Sequence, residues 1–299
     1  MNMTGFNFLK NNKMVLRPVK ESALKDIVFK DYNVLITGGG TGLGKMMATV
    51  YSKLGADVTI ASRKENILKQ SADEISNLTG NNVGYKILNL REHDSITSMV
   101  NEFEKIPDIV VNNAAGNFIC RSHDLSYNGW NSILDIVLKG SVDLTLQLGK
   151  RMIEEKKPGV FCNISTTYAN TGSGFVLPSA IAKAGCDNMT KSLAAEWGKY
   201  GIRLLSVAPG PIYTDGAFSR LDPTGSFQKK VEKKLPMGRL GEKEELANFI
   251  SFLTSDYCNW LTGQVINFDG GEVVGNSGEF NILHSLSDAE WSLIKKMSK

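Results

Sequence analysis

A run of glycines between an apolar strand and a helix constrains the fold of this chain most. The run reads Thr37-Gly38-Gly39-Gly40-Thr41-Gly42-Leu43-Gly44. Gly38 lets the strand turn sharply, Gly42 lets the backbone approach a pyrophosphate, and Gly44 lets the helix pack close to the sheet. The helix N-terminus adds free N–H groups and a partial positive charge. A purely structural glycine turn is the alternative, but the strand–turn–helix context favours a dinucleotide-binding site.

Short apolar runs alternate with amphipathic stretches along most of the chain. Strands are predicted at Val34–Thr37, Val58–Ala61, Val83–Leu88, Ile109–Asn113, Val160–Ile164, Arg203–Ala208 and Val265–Phe268. Helices are predicted near 43–54, 65–78, 95–104, 130–154, 180–199 and 242–254. Strands separated by such helices form right-handed crossovers and a parallel sheet. The sequence therefore predicts an α/β fold, a single doubly wound Rossmann domain whose seven-stranded parallel sheet carries helices on both faces.

The alternation runs from 31 to 271 without a linker, which predicts one domain over those residues. Residues 1–30 are predicted to be an N-terminal extension, and residues 272–299 a tail packed on the domain or on a neighbouring subunit. The alternation is interrupted at 213–236, after the sixth strand, where a substrate lid is expected. Ser287-Asp288-Ala289-Glu290 is typical of a capping box that opens a short helix, whose stripe of Trp291, Ile294 and Met297 we interpret as a docking surface.

Composition excludes several classes of protein. The net charge of +3 in 299 residues gives no support for nucleic acid as the main partner. No apolar run approaches the roughly 18 residues that would span a membrane. The four cysteines are far apart and lie near no histidine at ligand spacing, so we expect reduced thiols and no metal site. Residues 1–20 are basic and contain no acid, which fits either a mitochondrial transit segment or a solvated tail.

The residues after the second strand indicate which dinucleotide is bound. An acidic residue there would favour NAD, but this chain has Arg63 and Lys64. Arg63 can bind a 2′-phosphate with two hydrogen bonds, and Lys64 adds a nearby charge. The alternative is two solvated cations at a helix start, where a positive charge is electrostatically unfavourable. We therefore predict NADPH as the cofactor.

Four motifs together resemble the short-chain dehydrogenase/reductase family over almost the whole chain. They are the TGxxxGxG form of the glycine loop, Asn112-Asn113-Ala114-Ala115-Gly116, Pro209-Gly210-Pro211-Ile212 and Asp269-Gly270-Gly271. The family's usual Tyr-x-x-x-Lys pair is altered. Lys183 is present, but Ser179 occupies the tyrosine position one helical turn earlier, so both side chains share a face. A serine hydroxyl is far less acidic than a phenol, which argues against ordinary ketone reduction.

A tyrosine elsewhere in the chain can supply the phenol that position 179 lacks. Tyr168 follows the fifth strand, where it can reach the same pocket from another direction. With Asn117 and the run from Phe218 to Gly225, this arrangement is most similar to the 2,4-dienoyl-CoA reductases, and within them to the mitochondrial type. The resemblance implies reduction of a 2,4-dienoyl-CoA to a trans-3-enoyl-CoA in β-oxidation of unsaturated fatty acids.

The resemblance also implies roles for particular residues. Tyr168 and Asn117 would hydrogen-bond the thioester oxygen as negative charge develops on it. Lys183 would bind the nicotinamide ribose and, with Ser179, support proton delivery. The predicted cofactor-binding residues are Gly38, Gly39, Gly40, Thr41, Gly42, Leu43, Gly44, Arg63, Lys64, Asn89, Lys183, Pro209, Gly210, Pro211 and Ile212. The predicted substrate-binding residues are Arg63, Arg91, Asn117, Phe118, Ser126 and Arg220.

Two positions depart from the family pattern. Asn89 occupies the place of a common aspartate near the adenine. Lys139 occupies the place of an asparagine that usually supports the lysine through water. Lys139 either turns outward or repels Lys183 and weakens proton transfer.

Other functions stay open beside the dienoyl-CoA reductase. The chain is alternatively another reductase of the family, acting on a ketone or an enoyl thioester, or a catalytically silent NADPH-binding protein. By resemblance we expect a homotetramer and, with the basic start, a mitochondrial location, with a cytoplasmic one as the alternative.

Overall fold

Seven parallel strands form one sheet in this protein. A computed structural model of the chain describes residues 9–10, 13–14, 16–214 and 226–298. The strands are β1 (Asn33–Thr37), β2 (Asp57–Ser62), β3 (Val83–Ile87), β4 (Ile109–Asn112), β5 (Gly159–Ile164), β6 (Ile202–Pro209) and β7 (Gln264–Phe268). Their order across the sheet is β3-β2-β1-β4-β5-β6-β7. Every predicted strand is confirmed to within a residue at each end.

Helices cover both faces of the sheet. They are α1 (Gly42–Lys53), α2 (Glu65–Thr79), α3 (His93–Asn101), α4 (Tyr127–Leu134), α5 (Ser141–Glu154), α6 (Tyr168–Thr171), α7 (Leu177–Trp197), α8 (Ser226–Lys234), α9 (Lys243–Thr254), α10 (Glu272–Ser277) and α11 (Asp288–Met297). One core cluster packs α1, α2 and α9 on the sheet, and a second packs α3, α5 and the end of α7 on the other face. Strands covered on both sides must be apolar throughout, which is why the sequence pattern predicted them.

Short elements complete the chain. Single 3₁₀ turns span Ser122–Asp124, Gly198–Tyr200 and Asp256–Cys258, and a seven-residue 3₁₀ helix spans Glu279–Ser285. Leu9–Lys10 pairs antiparallel with Lys13–Met14. The predicted capping box is confirmed: Ser287 and Glu290 bond each other's backbone N–H at the start of α11. No helix among the described residues is long and apolar enough to cross a membrane.

The helix predicted over 130–154 is divided in the structure. A π-helical turn, Asp135–Gly140, separates α4 from α5. Gly140 lies so close to the preceding loop that a Cβ there would come within 2.2 Å of the Leu90 carbonyl oxygen. Hydrophobic periodicity does not reveal a π turn, because one wider turn leaves most apolar positions on the buried face.

Parts of the predicted domain plan lie outside the described residues. These are residues 1–8, 11–12, 15, 215–225 and 299. Residues 16–30 lie against the domain, where Asn248 donates hydrogen bonds to the carbonyls of Lys20 and Glu21. The extension over 1–30 and the lid over 213–236 stay predictions.

The packing of α1 against the sheet generates a first prediction. In Gly44→Ala the new Cβ would lie 2.3 Å from the Gly38 carbonyl oxygen and 2.6 Å from Asn113 Nδ2. Because backbone is in the way, we expect the free energy of unfolding to fall by about 1–3 kcal/mol, measured by urea denaturation. Gly198→Ala is the control, since its Cβ meets no described atom within 4 Å. Equal midpoints for the two variants would contradict this close packing.

Candidate active site

The candidate site lies at the carboxyl end of the sheet, where the strand order reverses between β1 and β4. Thr37 ends β1, and its Oγ1 accepts hydrogen bonds from the backbone N–H groups of Asn113 and Ala114, both at 3.0 Å. The Asn113 side chain donates in return to the carbonyls of Thr37 and Gly38 at 2.9 and 3.3 Å. These bonds fix the glycine loop to the segment that follows β4. A crevice at such a reversal is where doubly wound sheets bind ligands.

The glycine loop has the form of an anion-binding turn. Gly38 and Gly42 have φ angles of +66° and +54°, which side-chain-bearing residues adopt at a cost. In the described part of the chain, the N-cap residue Thr41 makes no side-chain capping bond, and no acid lies in the first turn of α1. The first backbone N–H groups of α1 are therefore available to a phosphate. Thr214, in the segment after β6, lies beside Gly42, where a Cβ would be 3.8 Å from its Cγ2.

Two cations lie next to this loop. Arg63 and Lys64 follow β2 and are exposed, and Lys64 is the N-cap residue of α2. Between residues that the structure describes, neither side chain forms a hydrogen bond or an ion pair. Both are thus available to an anionic group near the N-terminus of α1.

Asn89 and Arg91, two predicted binding residues that follow β3, form hydrogen bonds with other protein groups. Asn89 Nδ2 donates to Glu92 at 2.7 Å, and Asn89 Oδ1 accepts from the backbone of Arg91 at 3.3 Å. The Arg91 guanidinium donates to the Ser132 carbonyl at 3.2 Å and remains exposed. Asn89 is held in place by its own loop, and Arg91 lies at the surface between that loop and α4.

Three of the predicted catalytic residues meet at one hydroxyl group. Tyr168 OH lies 3.2 Å from Ser179 Oγ and accepts a hydrogen bond from Asn117 Nδ2 at 3.2 Å. Each comes from a different element: Tyr168 from the short α6 after β5, Ser179 from the first turn of α7, and Asn117 from the loop after β4. Asn117 Oδ1 accepts from the backbone N–H of Phe118 at 2.9 Å, which orients the amide.

Lys183 lies one turn after Ser179 and is buried, with 7% of its surface exposed. Its ammonium group donates to the Ile164 carbonyl at the end of β5. Burial lowers the pKa of Lys183, whereas its neighbours Cys186 and Asp187 act in the opposite direction. Burial raises the pKa of the Asp187 carboxyl, which accepts hydrogen bonds from Ser165 and Ser206 at 2.9 and 2.5 Å. A buried ammonium group of this kind releases its proton more readily than an exposed one.

Lys139 takes the outward of its two predicted orientations. Its Nζ forms an ion pair with Asp135 at 2.8 Å inside the π-helical turn, and 67% of its side chain is exposed. Lys183 is buried on a different helix. Lys139 therefore adds no cation to the pocket.

The predicted substrate contacts are not all gathered at the pocket. Phe118 is half-buried and packs beside the apolar residues of α4 and the π turn. Ser126 caps α4 by accepting a hydrogen bond from Gly129 N at 3.0 Å. Arg220 lies outside the described residues.

The segment after β6 is fixed by backbone hydrogen bonds. Gly210 N donates to the Phe268 carbonyl, and Gly241 N donates to the Pro211 carbonyl, both at 3.0 Å. The predicted cofactor-binding run Pro209-Gly210-Pro211-Ile212 thus leads the chain toward Thr214 and the glycine loop.

Sequence reasoning missed three parts of this site. Thr214 carries a usable signal, because it follows a proline–glycine turn at the end of a strand. Asp187 is a buried acid one turn after Lys183, a spacing that marks a shared helix face. Glu272 accepts a hydrogen bond from Thr167 at 2.9 Å, and no pattern in the sequence links two residues 105 positions apart.

Known proteins resemble this chain over the region that contains the site. The family model described as Enoyl-(Acyl carrier protein) reductase matches residues 38–272. A Caenorhabditis elegans protein named a probable 2,4-dienoyl-CoA reductase, (3E)-enoyl-CoA-producing, is 42% identical over 290 residues, covering 94% of each chain. The crystal structure of a short chain dehydrogenase from Bacillus anthracis has a TM-score of 0.74 at 40% identity, covering 82% of this chain and 97% of its own. A putative 2-deoxy-D-gluconate 3-dehydrogenase from Agrobacterium tumefaciens with bound NADP has a TM-score of 0.78 at 27% identity, covering 84% of this chain and 100% of its own.

Proposed function

Because this chain belongs to the short-chain dehydrogenase/reductase family of oxidoreductases, we propose that it reduces 2,4-dienoyl-CoA thioesters to trans-3-enoyl-CoA with NADPH. The observation that carries the proposal is the position of Tyr168. Its hydroxyl lies beside Ser179, the residue that replaces the family's usual tyrosine, and is held by Asn117. The relative named a probable 2,4-dienoyl-CoA reductase supports the same substrate class.

The residues present fit a nicotinamide dinucleotide. The uncapped N-terminus of α1 and the positive φ of Gly42 provide a cradle for a pyrophosphate. Arg63 and Lys64 favour NADPH, because a 2′-phosphate would supply the anion that neither cation has among the described residues. NADPH supplies the hydride that reduces the dienoyl group. Asn89 and the run from Pro209 to Ile212 would hold its adenine and nicotinamide ends.

Tyr168 and Asn117 would act on the thioester oxygen. Conjugate reduction moves negative charge onto that oxygen, and a phenol O–H with an amide N–H are donors that stabilise it. The two groups already lie within hydrogen-bond distance of each other, with Asn117 Nδ2 donating to the Tyr168 hydroxyl at 3.2 Å. A ketone reductase instead needs a proton donor at position 179, where serine is poorly suited.

Lys183 and Ser179 would support proton delivery. The buried ammonium group lies one turn from the Ser179 hydroxyl, which in turn contacts Tyr168. A positive charge at this position favours ionisation of neighbouring hydroxyl groups and eases proton movement through them. Lys183 would also bind the nicotinamide ribose.

The acyl-CoA would enter beside these groups. Phe118 offers an apolar contact next to Asn117, and the cations Arg63, Arg91 and Arg220 suit the phosphates of coenzyme A. Ser126 would contribute a hydroxyl at the start of α4. A role in β-oxidation of unsaturated fatty acids, a mitochondrial location and a homotetramer complete the proposal as predictions from resemblance.

One assay distinguishes this reaction from the alternatives. Purified protein is mixed with NADPH and a 2,4-dienoyl-CoA, and the nucleotide and dienoyl absorbances are followed together. Consumption of NADPH and of the dienoyl thioester in equimolar amounts supports the proposal. Turnover of a ketone or a simple enoyl-CoA without turnover of the dienoyl-CoA would identify another reductase. NADPH binding without turnover of any of them would identify a silent protein.

Arg63→Ala is expected to weaken NADPH binding by about tenfold to a hundredfold, because a charge-assisted hydrogen bond to the 2′-phosphate is lost. NADH binding should change little. Fluorescence titration of both nucleotides measures the difference. Lys53→Ala, which removes an exposed cation at the far end of α1, is the control. Equal losses for NADPH and NADH in Arg63→Ala would contradict the assignment.

Tyr168→Phe is expected to lower kcat about a hundredfold or more while the KM for the dienoyl-CoA changes less than threefold. The phenyl ring stays in place, so only the hydrogen bond to the developing negative charge is removed. Tyr32→Phe is the matched control, because its hydroxyl bonds Asp256 away from the site. A wild-type kcat in Tyr168→Phe would show that this hydroxyl plays no part in catalysis.

Lys139→Ala is expected to keep kcat within twofold of wild type. The side chain faces solvent and pairs with Asp135, which is also exposed to solvent in part, so its removal leaves the pocket unchanged. Steady-state kinetics with the dienoyl-CoA provides the measurement. A tenfold change in either direction would mean that Lys139 acts on Lys183 after all.

A further inference from the structure

Glu272 contacts the segment that carries Tyr168, although it lies far from it along the chain. The carboxylate accepts a hydrogen bond from Thr167 Oγ1 at 2.9 Å. Thr167 is buried and immediately precedes Tyr168, so it occupies the start of α6. The bond therefore joins α10 to the backbone that sets the position of the phenol.

Tyr168 needs a support of this kind. Its helix, α6, is four residues long and ends at Gly172, whose φ is +72°. One helical turn is not stable by itself, because its single nucleating turn fixes more dihedral angles than its hydrogen bonds offset. Ser179 and Lys183, by contrast, lie on the 21-residue α7. The position of the phenol therefore depends on contacts outside its own short element.

Glu272 is held by rigid backbone. The Asp269 carboxylate accepts hydrogen bonds from Gly271 N at 3.0 Å and from Val273 N at 2.9 Å, on either side of Glu272. Gly271 and Gly275 pack against Pro236 so closely that a Cβ at either would lie 2.9 Å from the proline ring. The first turn of α10 is therefore fixed both to β7 and to the end of the segment after β6.

The cost of burying Glu272 indicates that its bond to Thr167 matters. No described cation forms an ion pair with Glu272. Burial raises the pKa of its carboxyl and Asp269 raises it further, while the Thr167 hydroxyl lowers it. Burial deprives the ionised form of this acid of solvation, and the Thr167 hydroxyl is a donor that offsets part of that loss.

We propose that Glu272 is a positioning residue for the reaction: through Thr167 it fixes the first turn of α6, so that the Tyr168 hydroxyl stays within reach of Ser179 and Asn117. The proposal rests on the proposed function insofar as Tyr168 acts in catalysis. It makes the segment after Gly271 part of the active site, although that segment contacts neither Tyr168 nor Lys183 in any described hydrogen bond.

A double-mutant cycle tests the link. Thr167→Val and Glu272→Ala each remove the hydrogen bond, and we expect each to lower kcat about fivefold to tenfold with the KM for the dienoyl-CoA within twofold. The double variant should be no slower than the slower single variant, because the same bond is lost once. Thr167→Ser and Glu272→Gln keep a donor and an acceptor and should recover kcat to within twofold of wild type.

Hydrogen exchange gives a readout that does not depend on turnover. Peptides covering residues 166–176 should exchange faster in Thr167→Val and Glu272→Ala than in wild type, with peptides from α7 unchanged. Glu279→Ala is the matched control, an exposed acid in the same C-terminal segment whose side chain makes no hydrogen bond among the described residues. It should match wild type in both measurements.

The outcomes separate the two proposals. The positioning role is overturned if the kcat losses of the two single variants multiply in the double variant. It is also overturned if the variants change KM and leave kcat unchanged. Unchanged exchange of residues 166–176 in both single variants would overturn it as well. A wild-type protein that does not reduce the dienoyl-CoA would overturn the proposed function, while the exchange measurement still decides whether Glu272 orders α6. Thr167→Val is close in shape to threonine and serves if Glu272→Ala does not fold.

Discussion

The hydroxyl of Thr37 accepts hydrogen bonds from two backbone amides of the segment after β4, and both halves of the site extend from that junction. At the reversal of strand order, β1 and β4 send their following loops to opposite faces of the sheet. The loop after β1 leads to the anion-binding turn and α1, and the loop after β4 leads to Asn117. Without a link these loops would be free to separate. The bonds of Thr37 and Asn113 satisfy buried polar groups and give both loops one frame.

Much of this architecture could be predicted because its causes are local. The strands are apolar throughout because both faces of the sheet are covered, and the glycine loop reflects a steric need that Gly44 meets within 2.3 Å. The meeting of Tyr168 with Ser179 could also be anticipated, since a parallel sheet brings the segments after its strands to one edge. The sequence alone predicted only that these two side chains lie close together. The roles of these residues in catalysis stay predictions.

The parts that could not be predicted depend on helical phase or on distant packing. Lys139 lies within the π turn before α5, and a single wider turn leaves no mark in hydrophobic periodicity. Ser165 follows β5 at the edge of the sheet where the site lies, yet its hydroxyl bonds Asp187 in the interior. Glu272 reaches Thr167 only because Asp269 and Pro236 fix α10. The contacts of Ser165 with Asp187 and of Glu272 with Thr167 join different elements of the fold, and no local sequence pattern predicts them.

The small side chain of Ser179 has a consequence for redesigning this pocket. Its Oγ is 3.2 Å from the Tyr168 hydroxyl, so a second phenol at position 179 would occupy the space that Tyr168 already fills. A tyrosine at position 179 would therefore compete for space with the ring of Tyr168. A designer who moves the phenol from α6 to α7 must therefore exchange positions 168 and 179 together.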